Sequence, residues 1–360
     1  MTGGGIRMNT LKTFVAAAAL SLGSGAMAVA DTTIFYGHAG PPRGTVPAAL
    51  NWVNERLADL SDGEIKMDIQ WGGALFKAPS AVQSIGDGVA DAGSIISAYF
   101  PKEMAAYALS DLPLGGPDPW VGMRATDRMM RLPEIKQHLA AQNLVYVGTF
   151  TASDVNVACK GSEINSIADI AGKKVRGAGV YGKVFGELGA TMVNLSVYEA
   201  YQGLDTGLID CTQGYSYIIP ALKWHEQIDS YTVLNWGQIG GYGMFFNKQI
   251  FDSYPEPVKA ALIQVGEELP DKFAQIVIGA NEKALNTLRE GGYDRPIKLI
   301  EAGGQDADAL NAAAQPFIAE WKETAQAVGL DPEALMKVYG DAVVEYTAEL
   351  EAEGYPWLRD

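Results

Sequence analysis

The sequence predicts an α/β protein of two lobes. Three features carry that expectation: strands and helices alternate, one structural unit occurs twice, and a late helix is longer than one small lobe needs. The alternation opens with TTIFYGHAG (32–40), a short buried strand closed by a Gly-His-Ala-Gly-Pro-Pro turn. VPAALNWVNERLADLSDG (46–63) then places apolar residues at helical spacing and stops at Asp62-Gly63. EIKMDIQWGG (64–73) alternates as a strand. Strand, helix, strand in that order implies a parallel unit.

The repeated unit is a helix, a helix-ending glycine, and Gly-x-x-Asp leading into a strand. It occurs as VQSIGDGVADAGSI (82–95) and again as YQGLDTGLIDCTQG (201–214). Gly88 and Asp91 therefore correspond to Gly207 and Asp210, as if both lobes were built from one plan; since glycine commonly follows a helix, a chance echo is the other reading. The long helix is expected from about 257 to 291, with Pro270 breaking or kinking it through its missing amide hydrogen. It is long enough to brace two lobes together.

Within the second copy, DIAGKKVRGAGVYGKVFGELGA (169–190) sets Arg176 at the end of a short strand, beside Gly177 and Gly179 and ahead of a helix. A surface residue or a structural ion pair is one reading of that arginine. The other is a guanidinium at the mouth of a cleft, whose planar donors fork onto a carboxylate.

Residues 1–30 read as a cleavable secretory signal peptide: Arg7 and Lys12, an apolar run from Phe14 to about Leu22, and Ala28-Val29-Ala30 before Asp31. That run is too short to span a bilayer, and a retained amphipathic anchor would need a polar face it lacks. Translation is expected to start at Met8. Removing the segment takes away two basic residues and no acidic one, moving the formal charge from -16 to -18. So acidic a chain argues against nucleic acid as a partner. The expected product is exported and soluble, with length for two cores.

In an oxidising compartment, Cys159 and Cys211 have a disulfide as their default state; two buried thiols or a reactive nucleophile are the alternatives. His38, His138 and His225 stand singly, with no partner at metal-ligand spacing. Neither a metal nor a cofactor is predicted. Catalysis would need an activated pair such as Cys211 with His225, and no spacing supports one, so no catalytic residue is assigned.

GHAG, GALFKAPSAVQSIGDGVADAG, LPL, SIADIAGKKVRGAG and LGATMVNLSVYEAYQGLDTGLID, in this order and ahead of a long late helix, resemble the periplasmic solute-binding proteins of tripartite ATP-independent (TRAP) transporters. The resemblance covers almost all of the chain after residue 30. It implies a two-lobed periplasmic-binding-protein fold with the ligand cleft between the lobes. Lobe I would comprise 31–153 plus 241–280 and lobe II 154–240 plus 281–360. The helix at 257–291 would span both, with hinge crossovers near Ser153–Asn156 and Gly240–Tyr242. It also implies a periplasmic location and a partner complex of small and large membrane subunits.

The family's carboxylate-clamping arginine falls on Arg176. An asparagine that many members place after Gly-x-x-Asp is replaced in DCTQGYSY, which leaves Gln213, Gly214 and Tyr215 near the ligand. A further arginine of sialic-acid-binding members falls on Asn156. The resemblance puts Ser97 and Tyr99 beside the ligand, and His38, Trp236 and Phe76 along the cleft. One secure cation among amides and aromatic rings suits a monocarboxylate with an aromatic or hydroxylated body. A second desolvated charge would need its own partner. Lys77 could supply one, which keeps a C4-dicarboxylate as the alternative. A sensing module for a membrane receptor, or an enzyme on the same architecture, are the other classes.

The same alignment faces Asn156 with Gly214 on antiparallel strands. Paired positions then sum to 370, as do 159 and 211, so the two cysteines would meet across the strands.

Overall fold

The computed structural model describes residues 1–4 and 31–359; most of the expected signal segment lies outside the described residues. The first sheet collects β1 (Thr32–Gly37), β2 (Ile65–Gln70), β3 (Ala92–Ile96), β4 (Leu144–Phe150) and a strand from much later in the chain. Between them lie α1 (Thr45–Leu60), α2 (Ala81–Gly86), α3 (Pro119–Met130) and α4 (Pro133–Ala140). The second sheet takes β5 (Asp154–Cys159), β6 (Lys174–Arg176), β7 (Thr191–Val193), β8 (Cys211–Gly214) and β9 (Ser230–Gln238). Its helices are α5 (Gly179–Glu187), α6 (Ala200–Asp205) and α7 (Ile218–Ala221). The chain then returns through β10 (Tyr242–Asn247) and α8 (Lys248–Ser253). It finishes with α9 (Glu256–Arg289), β11 (Lys298–Glu301), α10 (Gly304–Ala327) and α11 (Pro332–Glu353).

Strand orders are β2-β1-β3-β10-β4 and β7-β6-β8-β5-β9-β11, so the second sheet repeats the first and adds one edge strand. β1 runs parallel to β2 and β3, as β6 does to β7 and β8. In each sheet one strand is antiparallel and arrives directly from the other lobe: β5 follows β4, and β10 follows β9. These two passages are the strand crossovers between the lobes.

The repeated aspartates do equivalent work. Asp91 accepts the Phe35 amide at 2.8 Å through its carboxylate, and its own amide returns to the Phe35 carbonyl at 3.0 Å. Asp210 does the same with Lys174, at 2.8 Å for both bonds. Gly88 and Gly207 turn the chain ahead of them with φ of 76° and 71°, a left-handed geometry that a β-carbon disfavours.

Of the break or kink expected at Pro270, the break does not occur: α9 runs unbroken for 34 residues. Val265, Leu269, Phe273 and Val277 bury themselves in the first-lobe core on both sides of the proline, and that packing outweighs one lost helix bond. Gly266 brings the helix against β4, where a β-carbon would lie 2.0 Å from the Val147 carbonyl oxygen. Farther along, Asn281 accepts the Tyr217 amide at 3.2 Å, and Leu288 is buried beside the second sheet.

The C-terminal arm departs from the expected partition of 281–360 into lobe II. α10 begins on the second sheet, but its Trp321 donates to the Ala105 carbonyl of the first lobe at 2.8 Å. Leu335, Tyr339 and Ala342 of α11 share one buried cluster with Ala125 and Met129 of α3. The apolar face of α11 is therefore buried on lobe I.

β5 and β8 pair antiparallel with Asn156 opposite Gly214 and Cys159 opposite Cys211, and a disulfide joins the two cysteines. No helix among the described residues is long and apolar enough to cross a membrane.

Candidate functional site

Because each sheet is parallel at its centre, the carboxyl ends of β1 and β6 open toward the same interlobe crevice, where α/β sheets place ligands. A cleft lined by residues of both lobes lies there. His38 follows β1, and Arg176 closes β6.

Arg176 is only 3% exposed. Its Nε donates to the Leu195 carbonyl at 3.0 Å, Nη1 reaches the Gln213 carbonyl at 3.4 Å, and Nη2 donates to the Tyr99 hydroxyl at 3.0 Å. Among the described residues no carboxylate pairs with it, and carbonyl oxygens carry only partial charge, so this buried cation is incompletely compensated by the protein. Tyr99 reaches it from the first lobe. The Tyr99 oxygen also accepts the Val197 amide at 3.0 Å, which commits its lone pairs to lobe II and leaves its own proton to donate elsewhere.

His38 is buried, and desolvation pushes its pKa down to about 3, which keeps the ring neutral. Its Nδ1 lies 3.0 Å from Ser94 Oγ, which in turn lies 2.8 Å from the Tyr36 hydroxyl. Among the described residues Ser94 is the only hydrogen-bond partner of the buried Tyr36 phenol, and the arrangement that uses the phenol proton has Tyr36 donating to Ser94 and Ser94 donating to Nδ1. In that arrangement the histidine proton resides on Nε2. Tyr198, Tyr215, Tyr217 and Tyr242 line the remaining wall. Burial raises each phenol above its ordinary range, so all four are neutral. Tyr198 and Tyr242 meet hydroxyl to hydroxyl at 3.1 Å across the lobes.

The structure thus brings Arg176, His38, Tyr99 and Tyr215 to one cleft, and puts the other named residues elsewhere. Asn156 does not line it: its Oδ1 accepts the Leu234 and Asn235 amides at 2.7 and 3.1 Å, holding β9 where its register against β5 shifts. Trp236 faces α10, donating to Asn311 at 2.9 Å with its edge on Tyr181. The Gln213 side chain accepts the Ala178 amide at 2.8 Å behind Arg176. Gly214 makes room for Trp224, whose ring would be 2.3 Å from a β-carbon there. Phe76 is core, seated over Gly37 and Gly93. Lys77 is exposed, its Nζ 3.4 Å from the Gly72 carbonyl.

Ser97 sits at the second crossover, against Gly241. Its single hydroxyl proton lies within hydrogen-bond reach of both Asp111 and the Gly241 carbonyl, while the Gly241 amide donates to Asp111 at 2.8 Å.

Sequence reasoning missed Arg43, Thr45, Tyr198, Tyr217 and Tyr242, all of which line the cleft. The repeat was the available signal for the first two. If Arg176 precedes α5 at the cleft, the residues that open α1 occupy the equivalent place in the other lobe. Among the described residues no cluster of three metal-ligating side chains occurs.

The family described as bacterial extracellular solute-binding protein, family 7, matches residues 36–324. Over 105 residues the chain is 33% identical to the C4-dicarboxylate-binding periplasmic protein DctP of Rhodobacter capsulatus, covering 29% of this chain and 31% of that one. It thus aligns with under a third of that relative's length. In structure it is similar to a TRAP periplasmic solute-binding protein from Bordetella bronchiseptica with bound (R)- and (S)-mandelate. There the TM-score is 0.78 at 19% identity over 88% of this chain and 99% of the other. It is also similar to a marine metagenome TRAP solute-binding protein specific for aromatic acid ligands, in complex with metahydroxyphenylacetate. That match has a TM-score of 0.73 and 23% identity, again over 88% and 99%. These likenesses establish the fold.

Proposed function

The chain belongs to family 7 of the bacterial extracellular solute-binding proteins, which are binding proteins and not enzymes, and we propose that it captures a monocarboxylate with an aromatic or hydroxylated body. The observation that carries this reading is Arg176: a buried guanidinium without a carboxylate partner among the described residues, facing a cleft whose other donors are neutral. A carboxylate supplies the missing charge and fits the guanidinium fork. Tyrosine rings and aliphatic side chains suit an apolar body, and the Tyr99 proton and His38 Nε2 proton suit oxygen acceptors. In this reading residues 1–30 direct export to the periplasm, and the loaded protein hands its ligand to the small and large membrane subunits of a TRAP transporter.

A C4-dicarboxylate is the second reading. Arg43 at the mouth of the cleft favours it, because a second guanidinium could meet a second carboxylate there; its Nε is bonded to the Ala221 carbonyl at 2.7 Å. Calorimetric titration with phenylacetate, mandelate, 3-hydroxyphenylacetate and succinate separates the two. Arg176→Ala should cost about 3–5 kcal/mol, roughly two to four decades of affinity. Arg176→Lys should recover little, because a point charge cannot make the paired fork. Affinity in Arg176→Ala within a few fold of the parent would overturn the carboxylate reading.

A further inference from the structure

The first turn of α1 faces the cleft from the side of lobe I. Gly44 occupies its N-cap position and supplies no side-chain cap, and Pro47 in the first turn has no amide hydrogen. The Thr45 and Val46 amides have no carbonyl acceptor among the described residues. Thr45 is only 5% exposed and lines the cleft, and its Oγ1 has no hydrogen-bond partner. The Tyr217 hydroxyl of the second lobe interacts with Thr45, but at a separation longer than a direct hydrogen bond allows.

A buried hydroxyl without a partner is costly, and native proteins rarely leave one without a role. Two hydroxyls from opposite lobes that approach without bonding leave a place for one oxygen between them, and the helix amides beside it are oriented donors.

We infer that the first turn of α1 and Tyr217 form a second subsite of the cleft, which takes a neutral hydroxyl of the ligand. A hydroxyl can accept from a helix amide or from Tyr217 and still donate to Thr45. A carboxylate placed there would be desolvated without a buried cation, since Arg43 is exposed and already bonded to Ala221. The inference rests on Arg176 holding the carboxylate at the other subsite, and it narrows the ligand class to hydroxylated monocarboxylates. The hydroxyl would touch both lobes and so favour the closed form.

The test uses acids that differ by one hydroxyl: phenylacetate against its 3- and 4-hydroxy derivatives, and hexanoate against 6-hydroxyhexanoate. In at least one pair the hydroxylated acid should bind the parent protein about tenfold more tightly. Thr45→Val, nearly the same shape, should abolish that gain and leave the affinity for the unsubstituted acid within about twofold. Tyr217→Phe should reduce the gain independently, and melting without ligand confirms that both variants fold. A gain that survives in Thr45→Val, or no gain in any pair, overturns the subsite while leaving the Arg176 reading intact. If the acids bind as well to Arg176→Ala, or if none binds the parent protein, the carboxylate reading fails and the subsite with it.

Discussion

Asp111 is a carboxyl group in a place that disfavours its charge. It is 4% exposed, and burial pushes its pKa up to about 7, although the Ser97 hydroxyl and the Gly241 amide donate to it and pull the other way. Among the described residues it pairs with no basic side chain. A folded pKa raised above the ordinary value of 3.8 means that the folded state holds this proton more strongly than the unfolded chain does. The associated stability is complete below about pH 4 and is lost as pH rises through about 7. Its size is on the order of 4 kcal/mol. Asp111→Asn should keep the crossover contacts and remove this slope, so its melting temperature relative to the parent should rise between pH 5 and 8. Parallel profiles for the two proteins would rule the idea out. Individual residues were unevenly legible in the sequence. Arg176 could be singled out because a cation at a strand end beside glycines has a chemical use there. Asn156 and Trp236 could not be placed, because the register shift between β5 and β9 and the face of α10 that receives the indole arise only when distant segments meet.

Elements were more legible than residues. The Gly-x-x-Asp repeat foretold two equivalent sheets because its aspartates bond to their neighbouring first strand and are needed once per lobe. Of the break or kink expected at Pro270, the break does not occur for a physical reason: local propensity favours it, and only the assembled core around Phe273 shows what opposes it. The β5–β8 register, taken from the family alignment, agrees with the observed pairing and the bridge it allows. The bridge closes a loop of 52 residues from β5 to β8, around the strand that carries Arg176. In the chain-entropy model this is worth about 4 kcal/mol, and strain or residual structure lowers the realised value. Replacing both cysteines by alanine should lower the melting temperature by several degrees, with cooperative unfolding preserved. Equal melting of reduced and oxidised parent protein would show that the bridge does not stabilise the fold.

At the scale of the whole molecule, the lobes are held together around the cleft by a small set of polar contacts. Arg43 donates to the Ala221 carbonyl, Arg176 and the Val197 amide meet on Tyr99, and Tyr198 meets Tyr242. Each pairs a neutral group or a single cation with a group that water can replace, so without a ligand none offers much resistance to opening. The two strand crossovers supply pivots. Ser153 holds a left-handed φ of 61° in the first, where a non-glycine residue is strained, and Gly240 and Gly241 form the second. A carboxylate between Arg176 and Tyr99 changes the balance, because it interacts with both lobes only when they are closed, and a ligand shifts a conformational equilibrium only by such differential affinity. The same reasoning sets a limit on the motion: α9 and the C-terminal arm also join the lobes, so opening must be a rotation that bends these helices little. Small-angle scattering should therefore give a smaller radius of gyration with the acid that stabilises the protein most than without it. Arg176→Ala should keep the larger value at the same acid concentration. A parent profile that does not change at saturation, or an Arg176→Ala profile that contracts as the parent does, would show that carboxylate capture does not drive closure.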